Sequence, residues 1–391
     1  MPAAEPQRPG RVYLDYAATA PFDARLTDAL AESSWGNASS LHEEGRAARV
    51  QLEDARTRIA ACLGCHAPQE LVFTSGGTEA DNTALHGLAR AVSGAARTHV
   101  VVSAIEHDAV LKAARSLKRA GFALDVVQPN RAGIVTADAL EKRLSSIDDA
   151  GEATCLVAVQ MLNNELGTVQ PYCELAGVAH AHGALMFSDG VQALGKLEVD
   201  LEGSGLDAAA FSAHKIGGLK GTGVLYVRRS VRCEPYLRGG GQEGGMRAGT
   251  SNVMGAHVFA AAVELACAER EALWQRMEGF RAQLLEACAA GGFAHDIAPT
   301  LPAPEQAAPH IVSLIARGLE GETLVLRADE CGIAVSSASA CSAGSLDPSH
   351  VLLACGIPKQ QAYGSLRVSM GAHTTQADID ALIAALPEVL R

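Results

Sequence analysis

Lys215 follows an apolar run, Ala208-Ala-Ala-Phe211, inside the segment Ser212-Ala-His-Lys215-Ile-Gly-Gly218. An amine at the mouth of a sheet, held by small residues, is placed to form a Schiff base with a carbonyl cofactor. A solvated strand-end lysine is the plainer alternative, and the other six lysines, 112, 118, 142, 196, 220 and 359, read as surface charges. Asp189 closes a second run, Ala184-Leu-Met-Phe-Ser188, so its carboxylate reaches the same edge. A carboxylate there can hold a pyridinium N–H and keep a pyridoxal ring electron-withdrawing. Gln192, three residues on, can donate to the phenolate oxygen of such a ring. Ser75-Gly-Gly-Thr78 follows a third run and opens a helix. Its glycines admit close backbone approach, and a helix N-terminus offers N–H groups to a phosphate. His107 begins another helix and reads either as a ring-stacking group or as a capping histidine. Each feature alone is ambiguous. A phosphate nest, an acid for the ring nitrogen and a lysine, all at strand ends, together read as a pyridoxal 5'-phosphate site.

The elements that must position these residues alternate. Leu71–Thr74, His99–Val102, Leu124–Val127, Cys155–Val159 and Ala184–Phe187 are short, continuously apolar runs, the pattern of strands covered on both faces. Helical patterns lie between them, over Ala80–Val92, His107–Arg119, Ala137–Leu144 and Tyr172–His182. Strand–helix alternation predicts an α/β fold with a parallel sheet and right-handed crossovers, which binds ligands at the carboxyl ends of its strands. A long helix is expected over Val253–Cys288, then an Ala/Gly/Pro-rich connector over Ala289–Pro309. A second, smaller α+β unit follows: strand His310–Ala316, helix Gly321–Cys331, strand Gly332–Ser336, helix His350–Cys355, strand Ser365–Ser369 and a last helix with a Thr375-x-x-Asp378 capping signal.

Composition narrows the class of protein. The chain has 391 residues, 48% of them hydrophobic and 4% aromatic, so a core of Ala, Val and Leu is expected. Forty-four acidic against 32 basic residues give a formal charge of −12, with no basic run. That balance argues against nucleic acid or a membrane surface as a partner. No apolar stretch is long enough for a bilayer, and residues 1–10 lack an apolar export core, so a cytoplasmic location is expected. The ten cysteines are then expected to be reduced thiols. Cys62-Leu-Gly-Cys65-His66 matches a haem-attachment spacing, but the plainer reading is two helix-end residues and a loop histidine. Zinc lacks a second ligand pair at finger spacing, and no metal is expected. Cys155 and Cys267 fall in apolar patterns and read as inert buried thiols.

Many short motifs recur in one order: Tyr13-Leu-Asp-Tyr-Ala-Ala-Thr19, Gly36-Asn-Ala-Ser-Ser-Leu-His42, Thr74-Ser-Gly-Gly-Thr-Glu-Ala80, Glu106-His-Asp-Ala-Val110, Asn163-Asn-Glu-Leu-Gly-Thr168, Ser188-Asp-Gly-Val-Gln192, Ser212-Ala-His-Lys215, Gly239-Gly-Gly-Gln-Glu243, Arg247-Ala-Gly-Thr250, Ser336-Ser-Ala-Ser-Ala-Cys341 and Ser365-Leu-Arg-Val-Ser369. In these, over nearly its whole length, the chain resembles the cysteine desulfurases of the NifS/IscS type, within the class-V aminotransferases of pyridoxal-phosphate fold type I. The pattern is departed from at Tyr16, where an Asn is usual, at Ala20, at Leu219, where a Pro is usual, and at Ala338, where a Gly is usual.

The resemblance implies a large domain, residues 23–265, with a mainly parallel seven-stranded sheet. It implies a small domain from residues 1–22 and 266–391 that carries a loop with the catalytic cysteine. Lys215 would carry the cofactor and move the substrate Cα proton. Asp189 would hold the ring nitrogen, Gln192 the phenolate oxygen, and His107 would stack on the ring and take part in proton transfer. Gly77, Thr78, Ser212 and His214 would seat the phosphate, with Thr250 reaching the phosphate of a second subunit in a homodimer. Asn164 would meet cofactor and substrate, and Arg367 would clamp the substrate carboxylate. Cys341, in a segment of small residues, would take sulfur from L-cysteine as a persulfide, release L-alanine and pass the sulfur to an acceptor protein, an iron–sulfur scaffold or a thiolation carrier. A selenocysteine lyase or a related β-eliminating enzyme on the same scaffold is the alternative.

Overall fold

A computed structural model describes residues 10–92, 97–301, 307–338 and 347–391. In chain order the first part comprises β1 (Val12–Tyr13), α1 (Thr27–Ala31), α2 (Glu43–Cys62), β2 (Leu71–Thr74), α3 (Gly77–Val92), β3 (Arg97–Ser103), α4 (Asp108–Arg119) and β4 (Ala123–Val127). Then come α5 (Ala137–Asp149), β5 (Ala153–Ala158), α6 (Tyr172–Ala181), β6 (Leu185–Asp189), β7 (Ala208–Ser212), β8 (Gly223–Val227) and α7 (Val253–Ala290). The remainder is β9 (Ile297–Pro299), β10 (Ile311–Ala316), α8 (Gly321–Glu330), β11 (Ile333–Ala334), α9 (His350–Ala354), α10 (Lys359–Ala362), β12 (Ser365–Ser369) and α11 (Gln376–Val389).

Seven strands form one sheet in the order β2-β8-β7-β6-β5-β3-β4. All pair parallel except β8, which is antiparallel to both β2 and β7. β7 and β8 are buried along their whole length, and β5 and β6 from their second residue on, as the continuous apolar runs predict. Helix α3 packs across β5 to β8, while α5 meets β5 and α6 meets β6. The apolar residues accordingly fall into two clusters, one containing Val100, Val102, Leu156 and Phe187 and the other Val101, Val157 and Met186, as alternate side chains of each strand turn to opposite faces. A second sheet, β12-β10-β9, is antiparallel throughout, and β1 pairs with β11. Its core gathers Leu14, Leu314, Ile333, Leu366 and Val368 with Ile379, Leu382 and Leu386 of α11.

The long helix α7 serves two cores: Val253 to Val263 pack against the large sheet, and Met277 to Cys288 against the small one. The Asn252 side chain accepts from Gly255 N at its start, and the Thr375–Asp378 capping box opens α11 as expected.

The structure departs from the sequence reading where periodicity is weak. The connector expected over Ala289–Pro309 contains the three-residue strand β9, which is ordered by Leu314–Ala316 of β10 rather than by its own composition. α2 has a broad polar face and no strong apolar stripe, and it was not anticipated; it is held by α7. Cys267 is not an inert buried thiol. It is half-buried and hydrogen-bonded to Cys62 at the end of α2, and that contact pulls its pKa down to about 7. Cys155 is buried as expected and donates to His99 O at 3.1 Å. His66 is exposed and pairs with Glu202 at 3.1 Å, in keeping with the plain reading of the Cys-x-x-Cys-His segment. Among the described residues no helix is long and apolar enough to cross a membrane.

Candidate active site

The ends of β2, β6 and β7 meet at a cavity of about 850 Å³, measured to its open mouth. After β2 the backbone turns through Gly76 at φ +148° and enters α3 at Gly77. A Cβ on Gly77 would lie 2.6 Å from Val191 Cγ2, and one on Gly223 would lie 2.7 Å from Gly76 Cα, so the turn has no room for side chains. Gly77 and Thr78, the first residues of α3, form one wall. Glu79 braces that turn: its carboxylate accepts from Ser75 N at 2.8 Å and from Arg247 Nε at 2.9 Å. A tight turn feeding a 16-residue helix is a seat for an anion.

Asp189 ends β6. Its Oδ1 accepts from Val191 N at 2.9 Å, and burial pushes its pKa up while His107 and Lys215 oppose that shift. Across the cavity Lys215 leaves β7 in a short 3₁₀ turn closed by Gly217 at φ +82°. Its ammonium donates to Ala17 O and Ala18 O, each at 2.7 Å, so the segment after β1 covers the lysine. Gln192 Nε2 donates to the same Ala17 O at 2.9 Å. His214 contacts Thr19 Oγ1 through Nδ1 at 3.1 Å, and burial with nearby Lys215 holds its pKa down at about 4. Ser212 completes this side.

Lys196 corrects the expectation of a surface charge. It donates to the Lys215 carbonyl at 2.8 Å, and burial followed by the Lys215 charge lowers its pKa to about 7.

His107 is a capping residue that also faces the cavity. Its Nδ1 accepts from Ala109 N at 3.1 Å and caps α4, while the ring lines the cavity. Burial lowers its pKa, so the neutral ring carries its proton on Nε2. Asp81, one helical turn after Gly77, also faces the cavity and was not singled out in the sequence. Polar atoms of Asp81, His107 and Asp189 lie within 4.8 Å of one another. The signal for Asp81 was its i, i+4 spacing from the glycine of the nest.

Asn164 lines the cavity, but Arg367 stands behind it. The Arg367 guanidinium, on a residue 2% exposed, donates to Asn164 O and to Asp15 Oδ1, both at 2.9 Å, and its Nε has no partner. Thr250 is exposed and outside the cavity wall. Cys341 lies outside the described residues. The described residues on either side of its segment are tied to the same corner. Ser336 exchanges backbone hydrogen bonds with Arg367 at 2.7 and 3.2 Å, and the Ser349 hydroxyl donates to the Glu165 carboxylate. Tyr16 packs its ring over Gly371, where any side chain would overlap it.

The donor set fits pyridoxal phosphate: an anion seat closed to side chains, a buried carboxylate with a free oxygen, a flat histidine ring and an amine on one cavity. Fold and site define a pyridoxal-phosphate enzyme of fold type I. The chain belongs to the class-V aminotransferase family, whose sequence profile matches residues 12–382. It is 40% identical over 380 residues to an IscS-like cysteine desulfurase of Mycobacterium tuberculosis, covering 96% of this chain and 95% of that one. Among solved structures it superposes on a NifS-like protein with a TM-score of 0.88 at 32% identity, covering 97% and 99% of the two chains. It superposes on SspA in complex with cysteine with a TM-score of 0.78 at 29% identity, covering 93% and 100%.

Proposed function

We propose that this chain is a cysteine desulfurase that converts L-cysteine to L-alanine and leaves the sulfur as a persulfide on Cys341. The observation that carries this reading is the buried Arg367 guanidinium, reaching the cavity through Asn164 and backbone-paired to Ser336, five residues before Cys341. Arg367 and the described residue five positions before Cys341 therefore meet beside Asn164, at one edge of the cofactor seat, which supports a clamp and a thiol working there. The relatives' names favour cysteine over selenocysteine as the substrate.

When bound, pyridoxal phosphate supplies an electron sink that acidifies the substrate Cα–H and eases cleavage of the neighbouring C–S bond. Lys215 holds the cofactor, then takes and returns the Cα proton from its position between Ala17 and Asp189. Asp189 accepts the ring N–H on its free oxygen. Gln192 and Asn164 orient the ring oxygen, and the neutral His107 offers its Nε2–H at the ring face for proton transfer. Gly77, Thr78, Ser212 and His214 would seat the phosphate, and Arg367 would take the substrate carboxylate as a fork by exchanging its bonds to Asn164 O and Asp15 Oδ1 for it. The Cys341 thiolate attacks the substrate sulfur; the S–S bond forms as the C–S bond breaks, and the carbon receives a proton. The sum, substrate thiol plus Cys341 thiol to alanine plus Cys341 persulfide, balances with no outside oxidant.

The active unit is a homodimer in this reading. Arg247, two residues before Gly249, braces the phosphate nest through Glu79, while Thr250 itself points outward, as a contact to a second subunit requires. The large and small domains divide near residues 22 and 265, and the sulfur passes in the cytoplasm to an iron–sulfur scaffold or thiolation carrier. The test is brief exposure of the cofactor-loaded protein to L-cysteine. Alanine should appear with one reductant-labile sulfur on the Cys341 peptide by mass spectrometry. Cys341→Ser should keep the cofactor and lose both products; an active Cys341→Ser protein, or a persulfide on Cys331 or Cys355, overturns the assignment.

A further inference from the structure

Three carboxyl groups are buried beneath the cofactor seat, and only one is assigned a task. Asp189 is placed for the ring nitrogen. Asp81 is 1% exposed and lines the cavity, and its Oδ1 has no hydrogen-bond partner. Glu106 is fully buried; its Oε1 accepts from the Ser103 hydroxyl and from Gln160 N at 2.9 Å, and its Oε2 has no partner. Burial and neighbouring carboxylates, not a basic partner, are the influences that raise Asp81. His107, which shares the cavity with Asp81, has its pKa lowered by burial and is neutral there. Three anions cannot share this space: buried like charges within a few ångströms repel strongly, and a carboxylate without a partner loses its hydration unrewarded.

We propose that Asp81 is a neutral carboxylic acid in the working enzyme and that its O–H donates to the Asp189 carboxylate, making it a positioning residue for the ring-nitrogen contact. The inference rests on the pyridoxal-phosphate reading of the cavity. Oxygens of the two side chains lie within 4.8 Å, and a ring nitrogen of His107 lies within the same limit of each. Asp189 Oδ1 is already engaged by Val191 N, so an O–H from Asp81 fixes the carboxylate plane and leaves one lone pair for the ring. The electrostatics point the same way. Burial is the largest influence raising both Asp81 and Glu106, Glu106 to about 8, and in each case Asp189 adds to the rise. The Asp189 carboxylate thereby remains the single negative charge under the ring. This is the pattern in which neighbouring carboxyl groups take different protonation states by environment.

Asp81→Asn keeps a hydrogen-bond donor of the same shape, while Asp81→Ala removes it. Apoprotein of each variant and of wild type is titrated with pyridoxal phosphate, following affinity and the cofactor absorbance spectrum; apoprotein melting is measured in parallel. Asp81→Asn should bind within about twofold of wild type with the same spectrum. Asp81→Ala should bind at least tenfold more weakly, with a shifted spectrum. Infrared difference spectra at neutral pH should contain a protonated-carboxyl stretch that Asp81→Asn removes and Glu106→Gln does not. Three results overturn the proposal: Asp81→Asn as impaired as Asp81→Ala, Asp81→Ala with wild-type affinity and spectrum, or no protonated-carboxyl band assignable to Asp81. If wild-type apoprotein takes up no cofactor at Lys215, the reading of the cavity itself has failed, and the infrared band still reports the state of Asp81.

Discussion

The two sides of the cavity are built differently. The floor, Gly77, Asp189, Ser212 and Lys215, comes from the ends of β2, β6 and β7, and strand pairing sets its geometry. The far side, Asn164, Arg367 and the residues flanking Cys341, depends on buried charge. Arg367 is neutralised by Asp15 from 352 positions earlier, and Glu165 is held by Ser349 from 184 positions later. A floor made by backbone tolerates change in side chains it does not use. A wall made by a long-range ion pair and a long-range hydrogen bond changes whenever one partner does.

The floor should give the largest effects. Lys215→Ala should lower alanine formation by at least about 10³-fold, ~4 kcal/mol in barrier, and leave no borohydride-trappable lysine. Trapping at Lys196, whose amine lies close by, would shift the assignment within the floor.

Arg367→Ala should come next, lowering kcat/KM for L-cysteine about 10²- to 10³-fold through loss of two charge-assisted hydrogen bonds, ~3–4 kcal/mol. KM should rise more than kcat falls. Arg367→Lys should recover little, because an ammonium cannot form the fork. A variant with unchanged KM would take the far side out of substrate binding.

Thr250→Ala should weaken cofactor affinity about five- to tenfold, ~1–1.4 kcal/mol. Mixing it with Lys215→Ala at limiting cofactor should rebuild one intact site per heterodimer. Heterodimers that form without regaining activity would confine the floor to one chain.

The last effect should be on stability rather than on activity. Burial raises Glu165 to about 7, with the Ser349 hydrogen bond and then Arg367 opposing the rise. The folded protein therefore keeps a proton that the unfolded chain releases above about pH 4.5, so stability falls as pH rises from there to about 7 and is level beyond. Glu165→Gln lacks that loss. Its melting temperature relative to wild type should climb across the same interval, by the equivalent of about 1–3 kcal/mol. A difference constant from pH 4.5 to 7.5 would show that Glu165 does not titrate there.

The same contrast explains what the sequence reveals. β2, β5, β6 and β7 are short apolar runs ending at Thr74, Ala158, Asp189 and Ser212, so the residues just beyond them are legible as an edge. Lys196 was not, because Gly195-Lys-Leu resembles any solvated turn until Ala266 of α7 packs against Gly195. Asp81 hides as an ordinary acid in the first turns of a helix. The Cys62–Cys267 contact joins α2 to α7 across 205 positions, and no local pattern encodes it.

Helix α7 has one further consequence. Its 38 residues make a rod about 57 Å long, rooted at one end in the core of the large sheet and at the other in that of the small one. A hinge between the two cores would have to bend an unbroken helix that contains no proline. Rotation of the small sheet as a unit is thereby resisted, and Arg367 of β12 is held at a fixed distance behind Asn164.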